Sequence, residues 1–385
     1  MNVMNVKKHT SGLSLIELLV SMLIAGIIFA GVASVVYSSR IAYSAKNESS
    51  FVQENLRYST DVMAYDIRMA GSTGCANGTT AYVANTLKGA GSGLLGSEFA
   101  GMAGFQGFQG FEGGDVGGVA SEYGPAVASD SGFTAFPASL NFDSSVVGSA
   151  IVGSDAFVVR YGSPDTEVSV ERNSSEILSV TSPTNPFKTL DVLMLVDANC
   201  YNIAIFQATN VTGNNIEHKA EGSSPGNCTL ILKANGEVNC SIIPSCTALS
   251  CGVATQTLVK DGSSLMGFTT NAYFIGNSKV DPSIPALKRA IFSSAGVRID
   301  ELVQGVEDME LFYGEDTTDD GEVNTFVNAD EVVDWDEVYT VKLMIVLRSS
   351  SEVFDEAQEN PLLDATYNDR FMRKLSSSTI RIRNR

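Results

Sequence analysis

Histidine is scarce in this sequence. Only His9 and His218 occur among 385 residues, so few histidines are available as zinc ligands or as a catalytic base. No G-x-S-x-G, H-E-x-x-H or phosphate-loop motif is present either. His218 lies in a polar stretch between Glu217 and Lys219, which predicts a position on the surface. We therefore expect no enzyme activity.

Basic residues are also few. The 25 Lys and Arg residues face 44 Asp and Glu residues, which gives a formal net charge of −19, and the basic residues form no stripe. Because nucleic-acid binding needs a basic surface, we predict no direct nucleic-acid partner. Charged residues make up only 18% of the chain, while glycine is abundant at 35 residues. This composition favours a loop-rich, β-rich exported protein.

Cysteine is limited to six residues, none with C-x-x-C spacing. No histidine except His218 lies near them, which argues against a zinc site. All six lie C-terminal to the apolar run Leu18–Val36, in the part of the chain that we expect to be exported. Disulfides form in such oxidising compartments. An even number of exported cysteines predicts disulfides, with up to about fifteen pairings open. The candidates are Cys75, Cys200, Cys228, Cys240, Cys246 and Cys251.

Only one long apolar run is present, from Leu18 to Val36. It matches the roughly 20 residues that a membrane-spanning helix needs. Glu17 lies directly before it, after the apolar residues Leu15 and Ile16, although a carboxylate at the centre of a membrane-spanning helix costs ~2.5–3.5 kcal/mol and somewhat less near an end. Lys7 and Lys8 precede the run, so we expect a cytoplasmic leader and an exported remainder. The alternatives are a plain anchor, which leaves Glu17 unexplained, and a secretory signal cleaved after Ala33.

Residues 13–70 are predicted to form one continuous helix. The segment contains no proline, and Gly71 stands where a helix stop is expected. Its apolar half covers residues 13–37. Its second half, residues 38–70, is amphipathic because apolar residues recur at helical spacing, so it should lie along a globular domain. The residues predicted to face that domain are Ile41, Ala45, Val52, Leu56, Met63 and Ile67.

Residues 71–150 are predicted to form a glycine-rich loop region. Within it, Phe105, Phe108 and Phe111 recur in a Gly-Phe-Gln mini-repeat. One interpretation is a surface loop whose aromatic side chains pack back on the domain. The other is an exposed apolar contact for another subunit.

From residue 151 to residue 385 the chain is predicted to be a β-rich globular domain, which makes the whole an α+β protein. Short strands without long intervening helices indicate a mainly antiparallel sheet packed on the helix. The mostly apolar run Tyr339–Leu347 predicts a central strand. The other expected strands are Ala156–Tyr161, Asp191–Val196, Ile203–Ala208, Cys228–Lys233, Ala272–Ile275, Ala290–Phe292, Val303–Tyr313 and Ser378–Arg383.

The start of the chain resembles a known signal. Lys7 and Lys8, followed by Gly12-Leu13-Ser14-Leu15-Ile16-Glu17 and an apolar helix, resemble the class III signal of type IV pilins and type II secretion pseudopilins, except that Leu13 stands where these proteins usually carry Phe. The resemblance implies that residues 1–12 are a leader cut off after Gly12 by a prepilin peptidase. It also implies N-methylation of Leu13 and a role for Glu17 as the assembly carboxylate, paired with the amine of a neighbouring subunit.

Later segments resemble PilW-type minor pilins. They are Asp66–Gly71, Asp191–Val196 with Ile205–Gln207, Val306–Met309 with Leu311, Tyr313 and Gly314, and Arg381–Arg385. The resemblance implies a single-pass inner-membrane protein with a periplasmic domain that later reaches the pilus and cell surface. There it would join the initiation or tip complex with other minor and major pilins and a tip adhesin, and prime pilus assembly. The alternatives are a type II secretion pseudopilin and a secreted, calcium-dependent adhesin or binding protein.

One acidic run, Glu315–Asn324, is a candidate calcium site. Asp316, Asp319 and Asp320 supply carboxylates, and Gly321 allows a sharp bend, in partial agreement with a calcium-binding loop. Thr318 stands where such a loop usually has Asp or Asn, and Val327 where it ends in Glu. An acidic hairpin turn without metal is the alternative.

Overall fold

The computed structural model describes residues 14–74, 81–87, 107–111, 113, 154–174, 176–221, 226–234, 238–239, 255–256, 261–293, 296–318, 320–354, 356–357 and 369–383. It confirms an α+β fold in which one long N-terminal helix is followed by a mostly antiparallel β domain. The division of the chain into the five predicted segments stays a prediction.

The helix, α1, runs from Leu15 to Met69 without interruption. At 1.5 Å per residue, its 55 residues span ~82 Å. Ser14 precedes it in an extended conformation, which is usual for a helix N-cap. Gly71 follows the C-cap with a φ of 75°, a left-handed conformation that glycine adopts without steric cost.

Burial divides α1 in two. Along its N-terminal part the side chains are exposed, whereas Val52, Leu56, Met63 and Ile67 are buried against the domain. The prediction for these four residues is confirmed. It is wrong for Ile41, which is 43% exposed, because the domain reaches the helix only further along. Ala45 is half-buried.

The described residues also form one short 3-10 helix, Trp335–Glu337, and eighteen strands. In chain order the strands are β1 (Tyr82–Asn85), β2 (Phe108–Phe111), β3 (Ala156–Asn173), β4 (Ile177–Thr181), β5 (Val192–Val196), β6 (Asn202–Gln207), β7 (Asn210–Thr212), β8 (Asn215–Glu217), β9 (Lys233–Ala234), β10 (Val238–Asn239), β11 (Thr255–Gln256), β12 (Ser264–Asn277), β13 (Pro285–Ser293), β14 (Gly296–Gln304), β15 (Val306–Glu315), β16 (Thr325–Val327), β17 (Val338–Glu352) and β18 (Phe371–Arg381).

Two sheets make up most of the domain. The larger follows the order β10-β1-β6-β5-β12-β3-β4-β8-β7, with β2 beside β3 and the β13–β14 hairpin beside β12. The long strands β3 and β12 each pair with different neighbours along their length. Pairing is antiparallel except at β1, which runs parallel to β6 and β10. The smaller sheet has the order β16-β15-β17-β18 and confirms β17 as a central strand.

The main hydrophobic core lies between α1 and the sheets. It joins Met63 and Ile67 of the helix to Tyr273 of the larger sheet and to Leu343 and Ile380 of the smaller one. Apolar burial of this kind contributes ~25 cal/mol per Å² and fixes an amphipathic helix whose own propensity would not hold it in place.

The Gly-Phe-Gln mini-repeat supplies core residues. Phe108 and Phe111 lie in β2 and are 0% and 5% exposed, and the ring of Phe108 lies 5.7 Å from that of Phe157. These two residues confirm that the aromatic side chains pack back on the domain, but the prediction of a loop is wrong here, because Phe108–Phe111 pair with β3 as a strand. Phe105 lies outside the described residues.

Two strand predictions are wrong. Between Cys228 and Lys233 only Lys233 is in a strand, which is the two-residue β9. The segment Val303–Tyr313 is split at Gly305 into the end of β14 and the start of β15, which belong to different sheets. Gly305 has a φ of 83°, and a Cβ there would lie 2.9 Å from the carbonyl oxygen of Arg348. This glycine therefore allows the chain to cross between the sheets.

Candidate functional site: the assembly helix and its docking cluster

The N-terminal half of α1 exposes a continuous apolar surface. Leu15 is 78% exposed and Phe29 is 76% exposed. An 18-residue window has a mean hydropathy of 2.5, and none of it is buried. By length and composition alone this segment can cross a membrane. An apolar surface of this size is unfavourable in water and needs lipid or other helices around it.

Glu17 lies in the first turn of this helix and is exposed. Its Oε2 accepts a hydrogen bond from the backbone N–H of Ser14 at 3.4 Å, and no Lys or Arg among the described residues forms an ion pair with it. Its carboxylate therefore remains accessible to a cation outside the domain. Gly12 and Leu13 lie outside the described residues, so the cleavage and methylation sites stay predictions, as does the assembly role of Glu17.

At the other end of α1, Asp66 is the acceptor at the centre of a buried polar cluster. Its Oδ1 accepts from the hydroxyl of Tyr161 at 2.9 Å. Its Oδ2 accepts from the hydroxyl of Tyr273 at 2.6 Å and from the amide of Asn271 at 2.8 Å. Asp66 is only 4% exposed. We call Asp66, Tyr161, Asn271 and Tyr273 the docking cluster.

The docking cluster keeps both tyrosines protonated. Burial, followed by the charge and hydrogen bond of Asp66, raises the pKa of Tyr161 and of Tyr273 above the usual value. Both hydroxyls therefore remain donors to Asp66. Because Tyr161 comes from β3 and Tyr273 from β12, a single carboxylate ties the helix to two strands of the larger sheet.

Further hydrogen bonds tie the middle of α1 to the smaller sheet. The carboxylate of Glu48 accepts from the backbone N–H and hydroxyl of Ser350, both at 2.8 Å, and from the hydroxyl of Ser351 at 3.0 Å. The Lys374 ammonium donates to the hydroxyl of Ser49 at 2.8 Å. These contacts lie about 18 residues from Asp66, or ~27 Å along the helix, so the domain holds α1 at two separated places.

The Val306–Met309 segment contains the most buried ion pair described in the smaller sheet. Glu307 is 1% exposed and lies 2.7 Å from Nε of Arg373, which also lies 2.6 Å from Asp369. Arg348 approaches Glu307 to 3.4 Å. One carboxylate thus links β15, β17 and β18, and the cluster has a structural role within the sheet.

The candidate calcium residues form a hydrogen-bonded turn. Oδ2 of Asp316 accepts from the backbone N–H of Gly321 at 2.6 Å, and Oδ1 accepts from that of Thr318 at 3.0 Å. Asp316 is fully buried, Asp320 is exposed, and Asp319 lies outside the described residues. Among the described residues no group of three or more His, Cys, Asp or Glu side chains could hold a metal ion. Calcium binding here stays a prediction.

Two cysteines, Cys200 and Cys228, are described, and neither is a free thiol. Cys75, Cys240, Cys246 and Cys251 lie outside the described residues. The number of disulfides and their pairing therefore stay predictions.

His218 is not on the surface as predicted. It is 0% exposed and lies edge-on to the ring of Phe206, with a centroid distance of 5.6 Å. Neither ring nitrogen has a hydrogen-bond partner in the described part of the chain. The prediction failed because the polar residues beside it in sequence, Glu217 and Lys219, point to the other side and pair with each other at 2.7 Å.

Comparison with known families gives two matches. Residues 7–33 match the prokaryotic N-terminal methylation motif, and residues 272–384 match the family described as Type IV Pilus-assembly protein W. The two matches support a PilW-type minor pilin. The first match covers the segment with Gly12, Leu13 and Glu17. The second match contains all four strands of the smaller sheet and one residue of the docking cluster, Tyr273. No curated protein and no solved structure matches the chain.

The matches point to a structural component of the type IV pilus. The methylation motif and the apolar helix agree with anchoring in a membrane and a place on the pilus surface. The sequence analysis assigns no docking role to Asp66, which appears there only in the resemblance of Asp66–Gly71 to PilW-type minor pilins. A signal for its role was nevertheless present, because Asp66 lies three residues from Met63 on the buried face of an amphipathic helix.

Proposed function

We propose that this pilin is inserted in the inner membrane with its leader in the cytoplasm and its β domain in the periplasm. A prepilin peptidase then cuts after Gly12, and Leu13 is N-methylated. The mature subunit joins the initiation or tip complex of a type IV pilus, with other minor and major pilins and a tip adhesin, and primes pilus assembly.

One observation carries this proposal. A single helix buries one half in its own domain and leaves the other half, with Glu17, entirely exposed and apolar. The exposed half has no partner surface within the described part of the chain. Lipid can cover it first, and the helices of other subunits can cover it after extraction, without a change in the domain.

Glu17 gives the assembly its register in this proposal. After cleavage, the new amino group lies four residues before Glu17, close to one helical turn away. The carboxylate of one subunit would pair with the amine of its neighbour, and this pairing would offset the cost of placing both charges in an apolar environment. A fixed pair of charges would also fix the axial offset between neighbours.

The test uses Glu17→Gln, with Glu17→Asp as the matched control. Glu17→Gln keeps the size of the side chain but removes the charge, so the variant should still insert and be cleaved, and should fail to enter the filament. Glu17→Asp keeps the charge and should retain part of the incorporation. Membrane level, N-terminal sequence and co-purification with sheared pili are measured for each variant.

Full incorporation of Glu17→Gln would refute the charge-pair mechanism. An N-terminus at Ser34 rather than at methylated Leu13 would instead refute the pilin processing and favour a secreted protein.

A further inference from the structure

Strand β18 forms an open edge of the smaller sheet in the described part of the chain. It pairs with β17 and with no other described strand. Its 11 residues include no proline or glycine, and its register with β17 is regular from Arg373 to Arg381. Proteins often blunt such edges with short strands, prolines, bulges or charged side chains. The one register shift against β17 lies between Phe371 and Arg373, so the edge from Arg373 to Arg381 has neither a bulge nor a proline.

The backbone groups that face outward can be identified. The N–H of Ile382 donates to the carbonyl oxygen of Tyr339 at 2.9 Å. Because the direction of these groups alternates along an antiparallel strand, the even-numbered residues of β18 bond to β17. The N–H and C=O groups of Leu375, Ser377, Thr379 and Arg381 therefore point away from the sheet, where an added strand could bond to them.

The side chains follow the same alternation. Lys374 and Ser376 contact Ser49 and Thr60 of α1, so the even-numbered side chains face the helix. Leu375, Ser377, Thr379 and Arg381 are exposed on the opposite face.

An open groove accompanies the edge. It lies between α1 and β18, and Leu56, Arg57 and Asp61 line it from the helix, opposite the helix-facing residues Lys374, Ser376 and Ser378 of the strand. The groove gives an added strand a wall for half of its side chains. Peptide recognition by strand addition combines such main-chain bonds with contacts for alternate side chains.

The charges of this edge indicate what it can accept. Strand β18 has three basic residues and no acidic one, in a chain whose net charge is −19. Arg373 is engaged by Glu307 and Asp369, whereas Arg381 and Arg383 are exposed at the end of the strand. Arg57 on the groove wall is 86% exposed and lies 3.7 Å from Asp61.

A second copy of β18 is a poor occupant, since antiparallel pairing of two such edges would bring basic residues together, and like charges across strands are destabilising. We propose that β18 binds an extended, acidic segment of a different protein as an added strand of the smaller sheet. This binding does not depend on the assembly role proposed for Glu17.

The test uses the full chain in detergent micelles and a fluorescent peptide of about ten residues that alternates glutamate with valine. The same peptide with lysine in place of glutamate is the charge control. Ser377→Pro removes an outward N–H that takes no part in the β17 ladder, and Ser377→Ala, which keeps that N–H, is the matched variant. Thr379→Pro is the second variant if Ser377→Pro does not fold, as judged by its thermal unfolding.

We expect the acidic peptide to bind wild type and Ser377→Ala alike and Ser377→Pro roughly tenfold more weakly, since one backbone hydrogen bond is lost. In wild type, the peptide should slow amide hydrogen exchange at Leu375, Ser377 and Thr379. Any one of three results would overturn the proposal: no binding at about 1 mM peptide, equal binding of the lysine peptide, or no added protection at these amides. Self-association that protects the same amides without peptide would show that a second copy is the occupant, and would also overturn it.

Discussion

Removal of the Asp66 carboxylate should release the C-terminal end of α1 from the domain. In Asp66→Ala, the hydroxyls of Tyr161 and Tyr273 and the amide of Asn271 lose their common acceptor. A buried donor without a partner costs about 1–3 kcal/mol. Even if one of the three donors finds water in the space left by the carboxylate, two remain, so we expect a loss of about 2–6 kcal/mol in the free energy of unfolding.

Two further variants separate the charge from the geometry. Asp66→Asn keeps one acceptor oxygen, but an amide nitrogen then faces donors, so we expect a smaller loss of about 1–3 kcal/mol. Tyr273→Phe removes one donor and leaves the carboxylate with two bonds, at a cost of about 1–2 kcal/mol. If the two side chains act together, Asp66→Ala with Tyr273→Phe should cost less than the sum of the single changes.

The assay is urea unfolding of the full chain in micelles, followed by near-ultraviolet circular dichroism, with hydrogen exchange along residues 48–67 as a local measurement. Exchange should accelerate in Asp66→Ala around Met63 and Ile67, near the cluster, and less around Glu48. A loss below about 1 kcal/mol, or strictly additive effects of Asp66→Ala and Tyr273→Phe, would refute the argument that one carboxylate holds the helix end.

Three further predictions concern burial and backbone conformation. Burial lowers the pKa of His218 to about 4 from 6.5, so between these pH values the unfolded chain is protonated at His218 and the folded chain is not. The contribution of neutral, buried His218 to the free energy of unfolding should be fully present above pH 6.5. It should fall by about 3 kcal/mol between pH 6.5 and pH 4. Thermal unfolding across this range should show the loss, and an equal loss in His218→Leu would contradict it. Met63→Ala should cost about 2–5 kcal/mol in urea unfolding, whereas Ile41→Ala, at an exposed site on the same helix, should cost less than about 1 kcal/mol. Gly305→Ala should destabilise more than Gly321→Ala, because both have positive φ but only Gly305 also meets a carbonyl oxygen; equal melting temperatures would show that the φ strain alone matters.

Local sequence signals predicted much of the fold. Spacing of apolar residues and the absence of proline predicted α1 to within two residues at its start and one at its end. Continuous apolar runs predicted β5, and a nearly continuous run predicted β17 as a central strand. These features depend on residues close together in the chain, so periodicity and propensity are enough to find them.

Other features depend on distant partners. Tyr273 is 207 residues from Asp66, and no local pattern indicates that they meet. The glycine-rich mini-repeat gave no strand signal, yet β2 pairs with β3 and brings Phe108 into the core. The burial of His218 likewise depends on Phe206, which lies in β6. Tertiary contacts decide such positions, and neighbouring residues do not reveal them.

The unbroken course of α1 has a mechanical consequence. No proline or hinge separates its apolar half from its docked half. Tension applied to the apolar half is therefore transmitted along the helix, because the helix has no point at which it would bend. The force reaches the β domain as a shear load parallel to the helix, and the Glu48 contacts and the docking cluster share it. These two sets of contacts would therefore have to break together and not one after the other.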